Sequence, residues 1–241
     1  MAGPAIPDRP ALGVLGGMGP AATADFLLRL ARLTPADRDQ DHVPTLVYSD
    51  PQTPDRSDAI LDQGPSPLPA MVRGVDFLNR AGCALIAIPC NSAHYWYDEL
   101  AHRSAAPILH IADAAAEQVR TRLSLGTVGV MGTDGTIRSG IYHARLRAQG
   151  IAVLDSVAHD DRGAVMHGIR ALKGGREDVA RRCLLSAAEG LVDRGADALI
   201  LACTDISAAL SGVNSVGGAP VVDASDCLAL ASIDKLGDAS R

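Results

Sequence analysis

The chain has 241 residues, 47% of them hydrophobic, which is enough for one large or two small domains with a substantial core and no need of covalent staples. Aromatic residues make up only 3% and the formal net charge is −6 with no basic stripe, which argues against a nucleic-acid partner and predicts an aliphatic core of Ala, Leu, Val and Ile. The opening residues lack a charged-then-apolar leader, and no run approaches the roughly 18 apolar residues of a membrane span, so the expectation is a cytoplasmic protein with no membrane partner.

In chain order, short apolar runs alternate with helical patterns, which predicts parallel α/β units. ALGVLGG (11 to 17) reads as a strand, followed by Pro20 at a first helical turn and by Phe26, Leu27, Leu30 and Leu33 at helical spacing. TLVYSD (45 to 50) is the next strand, a Pro-rich loop follows, and Leu68, Met71, Val72, Val75 and Leu78 mark an amphipathic helix. LIAIPCNSAHYW (85 to 96) then runs from an oily strand through Pro89 and Cys90 into a polar helix start.

The second half repeats this order. GTVGVMGTDGT (126 to 136) parallels ALGVLGGMGP, IAVLD parallels TLVYSD, and GADALILACTDIS (195 to 207) parallels GCALIAIPCNSA (82 to 93). With Cys90 set on Cys203, Pro107 falls on Pro220 and Asp113 on Asp226. The fold class this predicts is α/β: two similar open parallel-sheet lobes related by a pseudo-twofold axis. Ligands of such sheets sit at the carboxyl ends of the strands, where Cys90 and Cys203 lie, so the two thiols are expected to face a cleft between the lobes.

The five cysteines are odd in number and show no CxxC spacing, so each is a free thiol by default, with Cys83, Cys183 and Cys227 expected in the core. At a strand-to-helix handover a thiol pKa is expected to fall, with Asn91 and Ser92, or Thr204 and Asp205, supplying helix-capping side chains. One such cysteine would suggest covalent catalysis; two, placed symmetrically, suit inversion of a stereocentre, in which a proton leaves one face of a carbon and another arrives at the opposite face.

The chain resembles the cofactor-independent aspartate/glutamate racemase superfamily, and within it the aspartate racemase branch, over roughly residues 10 to 235. The resemblance rests on GVLGGMGPAAT (13 to 23), PQTPDRS (51 to 57), CNSAHYWYDEL (90 to 100), GTDGTIRSGIY (132 to 142) and CTD (203 to 205). It implies that Cys90 and Cys203 are the catalytic acid/base pair and that Asn91, Ser92 and Thr204 hold the substrate's α-carboxylate and ammonium. It further implies that Arg56 pairs a side-chain carboxylate, that Lys173 approaches from the second lobe, and that Met18 and Gln52 line the pocket. Arg56 also stands on its own chemistry, since a planar guanidinium on a loop after a strand end can grip a carboxylate by two parallel bonds, the alternative being a solvated pair with Asp55. Lys173, before Gly174 and Gly175, equally suits ordinary helix C-capping. Similar proteins usually carry threonine at Ser92 and glutamate at Asp205, so the shorter Asp205 leaves the tuning of the second site and the substrate choice open. The resemblance also places residues 1 to 104 and 216 to 241 in one lobe and 105 to 215 in the other, and implies a homodimer.

Competing signals are weaker. The glycines of GVLGGMGP fit neither GxGxxG nor GxxxxGK[ST], and the turn suits close approach to a small anion. Pyridoxal phosphate needs a lysine, and the chain offers only Lys173 and Lys235, neither in a recognisable phosphate cup, so no cofactor is expected. His94, His102 and His110 show no HExxH pattern, so no metal is expected, and His94 is read as packing on the helix that starts at Asn91. Tyr95, Trp96 and Tyr97 are read as anchoring that helix between the lobes, the alternative being that they cover one side of the cleft. The reading is therefore an amino-acid racemase acting on a small-molecule substrate, aspartate, with glutamate or another polar amino acid as alternatives. Its rivals are a same-superfamily isomerase or decarboxylase, which often keeps a single cysteine, and a non-catalytic amino-acid-binding protein.

Overall fold

The computed structural model describes residues 11–122, 126–156 and 161–239. Strand β1 (Leu12–Gly16), helix α1 (Pro20–Leu33), strand β2 (Thr45–Ser49), helices α2 (Arg56–Ile60) and α3 (Leu68–Arg80) and strand β3 (Leu85–Ala87) come first. A 3-10 turn (Ser92–Trp96), α4 (Tyr97–Arg103) and α5 (Ile111–Arg122) follow. The repeat runs through β4 (Thr127–Gly132), α6 (Asp134–Ser139), α7 (Ile141–Ala148), β5 (Ala152–Asp155), α8 (Asp161–Lys173), α9 (Glu177–Asp193), β6 (Ala198–Ala202) and α10 (Thr204–Ala209). The last elements are β7 (Ser215–Val216), β8 (Ala219–Asp223) and α11 (Ala224–Ala239).

The chain forms two compact units, one from the segment up to Ile111 together with the segment from Ser225, the other from Ala112–Ala224. The crossings at Ile111/Ala112 and Ala224/Ser225 stand at the offset that relates Cys90 to Cys203, and lie later in the chain than the expected 104/105 and 215/216 because α5 and α11 start there. In the first unit the sheet order is β2-β1-β3, all parallel, and Ile86 of β3 is bridged on its far side by Ile108. In the second the order is β5-β4-β6-β8-β7. Its strands are parallel except for β7, which closes an antiparallel hairpin on β8. That hairpin is not anticipated from the sequence, although Gly217 and Gly218 carry its signal: both adopt positive φ, 55° and 89°, as a two-residue turn between antiparallel strands requires.

Burial largely follows sheet order. β1 and β6, central in their sheets, are buried at every residue, as is β3, which Ile108 bridges on its outer side, whereas the edge strands β2 and β5 are mostly half-buried. Helix α1 buries Thr23, Phe26 and Leu30, and α3 buries Ala70, Met71, Gly74, Val75 and Leu78, the spacing of one helical face. Each fully buried Leu, Ile, Phe or Met on such faces contributes about 1.5–3 kcal/mol relative to exposure.

The duplication reaches single contacts. Gly13 pairs with Leu46 and Ile86, and Gly129 pairs with Leu154 and Leu199. A Cβ at Gly13 would lie 3.1 Å from Cys83 Sγ and 3.3 Å from Ile86, and one at Gly129 would lie 2.8 Å from Leu199 and 3.2 Å from Ala196. Cys83 and Ile86 stand to Ala196 and Leu199 as Cys90 stands to Cys203, so both glycines keep open the same crossing of strand and neighbour. Asp113 and Asp226, landmarks of the repeat in the sequence, have matching structural roles: Arg29 reaches Asp226 at 2.7 Å and Arg145 reaches Asp113 at 2.7 Å.

Cys83 and Cys227 are buried as expected, while Cys183 is only half-buried on α9. Burial pushes the Cys83 thiol up from its ordinary range, so it stays protonated at neutral pH and acts as a small apolar residue. Among the described residues no helix is long and apolar enough to cross a membrane, and no cluster of His, Cys, Asp and Glu is arranged to hold a metal.

Candidate active site

In the first unit, six of the expected site residues follow the carboxyl ends of the three strands. After β1, the Gly17 N–H donates to Thr23 Oγ1 at 2.9 Å, and that hydroxyl donates to the Gly19 carbonyl at 3.0 Å, which ties the loop to the first turn of α1. Met18 in this loop is buried in the same apolar cluster as Cys90, Ile60 and Trp96. After β2, the Asp50 carboxylate accepts from the Gln52 N–H at 3.0 Å, and Gln52 is exposed.

Arg56 opens α2. Its Nη1 donates to the Thr53 carbonyl at 3.1 Å and the Pro54 carbonyl at 2.7 Å, and its Nε is buried without a hydrogen-bond partner among the described residues. Asp55 caps the helix by accepting from the Asp58 N–H, rather than serving as the counter-ion of Arg56. The loop therefore takes one corner of the guanidinium through two carbonyls and leaves Nε an unsatisfied donor.

After β3, Cys90 is 7% exposed, with its Sγ 3.7 Å from Ser92 Oγ. α2 packs against the 3-10 turn that begins two residues on, so Arg56 and Cys90 sit on adjoining elements of one unit. The expected capping differs: Asn91 stands at the N-cap of a five-residue 3-10 turn and makes no side-chain cap bond, and Ser92 lies within the turn. His94 is buried against that turn, but its ring does more than pack: Nδ1 lies 2.9 Å from the Cys90 carbonyl oxygen and Nε2 lies 3.3 Å from that of Leu109. Trp96 is buried in the first unit's core cluster and Tyr97 hydrogen-bonds the Ile108 carbonyl at 3.2 Å, while Tyr95 is half exposed.

In the second unit, Cys203 is 8% exposed and itself occupies the N-cap of α10 in an extended conformation, φ −156° and ψ 133°. Thr204 and Asp205 are thus first-turn residues and not caps. Only six residues long, α10 offers first-turn amides to a nearby anion and little of a macrodipole. Cys203 joins the cluster of Met131, Ile169, Leu184 and Ile206. Lys173, on the last turn of α8, brings its Nζ 3.6 Å from Asp205 Oδ2, with the two side chains 66% and 33% exposed. The expected residues Lys173, Cys203, Thr204 and Asp205 therefore share one corner of this unit, where α10 packs on α8.

The Cys90 and Cys203 carbonyl contacts were missed at the level of sequence. Ser207 N–H and Oγ both donate to the Cys203 carbonyl, at 3.0 and 3.3 Å, and Ser207 stands to Cys203 as His94 stands to Cys90. The repeat offset was the available signal.

The sequence profile of the Asp/Glu/Hydantoin racemase family matches residues 15–231. A broad-specificity amino-acid racemase of Bacillus subtilis, RacX, is 31% identical over 92% of this chain and 96% of its own length. An aspartate racemase of Picrophilus torridus superposes with a TM-score of 0.83 at 32% identity, covering 95% of this chain and 94% of that one. A glutamate racemase of Francisella tularensis shares the fold alone, with a TM-score of 0.69 at 18% identity over 97% of this chain and 83% of that one. The chain belongs to the Asp/Glu/Hydantoin racemase family.

Proposed function

We propose that this protein is an aspartate racemase that needs no pyridoxal phosphate, with Cys90 and Cys203 acting on opposite faces of the substrate's α carbon. The observation that carries the reading is the duplication: each unit sets one cysteine just after the equivalent strand, in its own apolar cluster and less than a tenth exposed. The thiolate of one cysteine takes the α-proton, and the C–H electron pair is left on the α carbon and spread into the carboxylate. The other cysteine's thiol gives its proton to the opposite face, so the product leaves with inverted configuration and the two sulfurs have exchanged protonation states. First-turn amides after each cysteine, with Asn91, Ser92 and Thr204, hold the α-carboxylate and ammonium, and water exclusion strengthens those contacts.

The choice of aspartate is supported by the unsatisfied Nε of Arg56, which suits a second carboxylate, and by the 32% identity with the Picrophilus aspartate racemase. In this reading Met18, Gln52, Lys173 and Asp205 contribute to substrate binding. A broader substrate range is a second reading, favoured by the similarity to RacX.

Incubation with L-aspartate and no added cofactor, followed by chiral chromatography, tests the proposal. D-aspartate should accumulate until the enantiomers are equal; L-aspartate that stays unchanged would remove aspartate as the substrate. The variant R56A should lose roughly 2–5 kcal/mol of kcat/KM toward aspartate, the range for truncating one partner of a buried charged pair. Toward alanine the same variant should lose little, and equal losses on both would deny Arg56 a role with the side-chain carboxylate.

A further inference from the structure

His94 is 2% exposed, and its ring packs against those of His110, at 4.8 Å between centroids, and Tyr97, at 6.5 Å. Both ring nitrogens face carbonyl oxygens, that of Cys90 at 2.9 Å and that of Leu109 at 3.3 Å. A neutral imidazole has one donor and one acceptor nitrogen, so we assign the proton to the nitrogen with the shorter contact, Nδ1 against the Cys90 carbonyl.

The second unit explains why a ring is needed. There the residue four beyond the cysteine, Ser207, reaches the Cys203 carbonyl with its backbone N–H at 3.0 Å, as α-helical geometry provides, and its hydroxyl adds a contact at 3.3 Å. After Cys90 the chain turns as a 3-10 helix, and the His94 N–H goes to the Asn91 carbonyl at 3.1 Å, three residues back. The residue four beyond Cys90 therefore meets its carbonyl through the side chain.

We propose that His94 is a positioning residue, whose Nδ1–H pins the Cys90 carbonyl and thereby fixes the plane of the Cys90–Asn91 peptide. That peptide is trans, so its carbonyl and its N–H point in opposite directions. Holding the oxygen against the imidazole aims the Asn91 N–H to the other side and sets the direction in which the Cys90 side chain leaves the backbone. A preorganised amide costs no reorientation when negative charge develops beside it, on a thiolate or on a substrate carboxylate, so a peptide free to rotate should be a slower catalyst. His94 touches no substrate in this account and acts only through Cys90 and Asn91. The kinetic part rests on the racemase reading above.

Two substitutions separate positioning from packing. In His94→Asn the amide nitrogen takes the place of Nδ1 and keeps the bond to Cys90. In His94→Gln the amide takes the place of Nε2, beside the Leu109 carbonyl, and gives up the bond to Cys90. H94N should hold kcat within severalfold of the parent, and H94Q should lose about 10- to 100-fold, the range for removing a residue that orients a reacting group from behind. S207A should lose less than H94Q, because the Ser207 backbone N–H still holds the Cys203 carbonyl. Rates are taken per folded protein, with thermal unfolding of each variant alongside.

A second readout does not depend on turnover. Alkylation of Cys90 by iodoacetamide at pH 7, followed by peptide mass spectrometry, should proceed at the parent rate in H94N and more slowly in H94Q. Equal effects of the two substitutions on both kcat and Cys90 alkylation would overturn the proposal. If the parent racemises no amino acid, the functional reading falls, and the order of the alkylation rates alone decides whether His94 positions Cys90.

Discussion

Replacing either Cys90 or Cys203 by serine is expected to abolish racemisation, with turnover in both directions down by about 10²–10⁴-fold or more, the share that a positioned acid or base contributes. Serine fits the same space and each cysteine retains some exposure, 7% and 8%, so the fold should persist and the melting temperature should change little. What serine lacks is acidity: a hydroxyl without a dedicated base stays protonated at neutral pH, so it can neither accept the α-proton nor return one at a useful rate. Each variant keeps one working thiol. C90S should still exchange the α-proton of one enantiomer with solvent, and C203S that of the other, readable as loss of the α-proton NMR signal in D2O. Exchange of the same enantiomer by both variants would contradict the assignment of one cysteine to each face.

The second large effect is structural. Gly17 follows β1 at φ 87°, and a Cβ there would overlap the backbone of Asp50, at the point where the ends of β1 and β2 are joined through the Asp50 N–H and the Gly16 carbonyl. Gly17→Ala should therefore cost roughly 2–5 kcal/mol, adding the left-handed conformation to the steric overlap. For a chain of this size that lowers the melting temperature on the order of 10 °C. Because Met18 and Gln52 flank this junction, activity should also fall at temperatures where the variant remains folded. Thermal unfolding followed by circular dichroism checks the first part, and a melting temperature equal to the parent's would show that the junction yields more easily than its packing suggests.

The sequence made the two-unit α/β plan and the paired cysteines readable because both are carried by long-period patterns: oily strands ending in glycine or cysteine, and amphipathic helices between them. The alignment of Cys90 with Cys203 extends to bridge Ile86–Ile108 against pair Leu199–Val221, so the repeat holds at single-residue register. What escaped was local geometry. Asn91 and Thr204 read as caps, since polar residues after a strand end favour that position, but a 3-10 turn follows Cys90 and Cys203 is its own N-cap. Whether a short polar stretch winds with three or four residues between bonded groups depends on what packs beneath it, here the His94, His110 and Tyr97 rings, and no periodicity encodes that. Arg56 stands out in the sequence as a candidate binding group, whereas its two bonds to Thr53 and Pro54 depend on how the Pro-rich loop folds back. Likewise Lys173 and Asp205 were singled out separately, and their approach to 3.6 Å comes from the packing of α10 on α8.

The most direct test of chemistry with one thiol on each side of the α carbon is the early time course in D2O starting from pure L-aspartate, with deuterium at the α carbon measured separately in each enantiomer. Two groups predict that nearly every D-aspartate molecule carries deuterium while the L-aspartate that remains keeps its protium, because the proton removed and the proton delivered belong to different sulfurs. Deuterium entering L-aspartate and D-aspartate together from the first turnovers would mean that one group serves both faces.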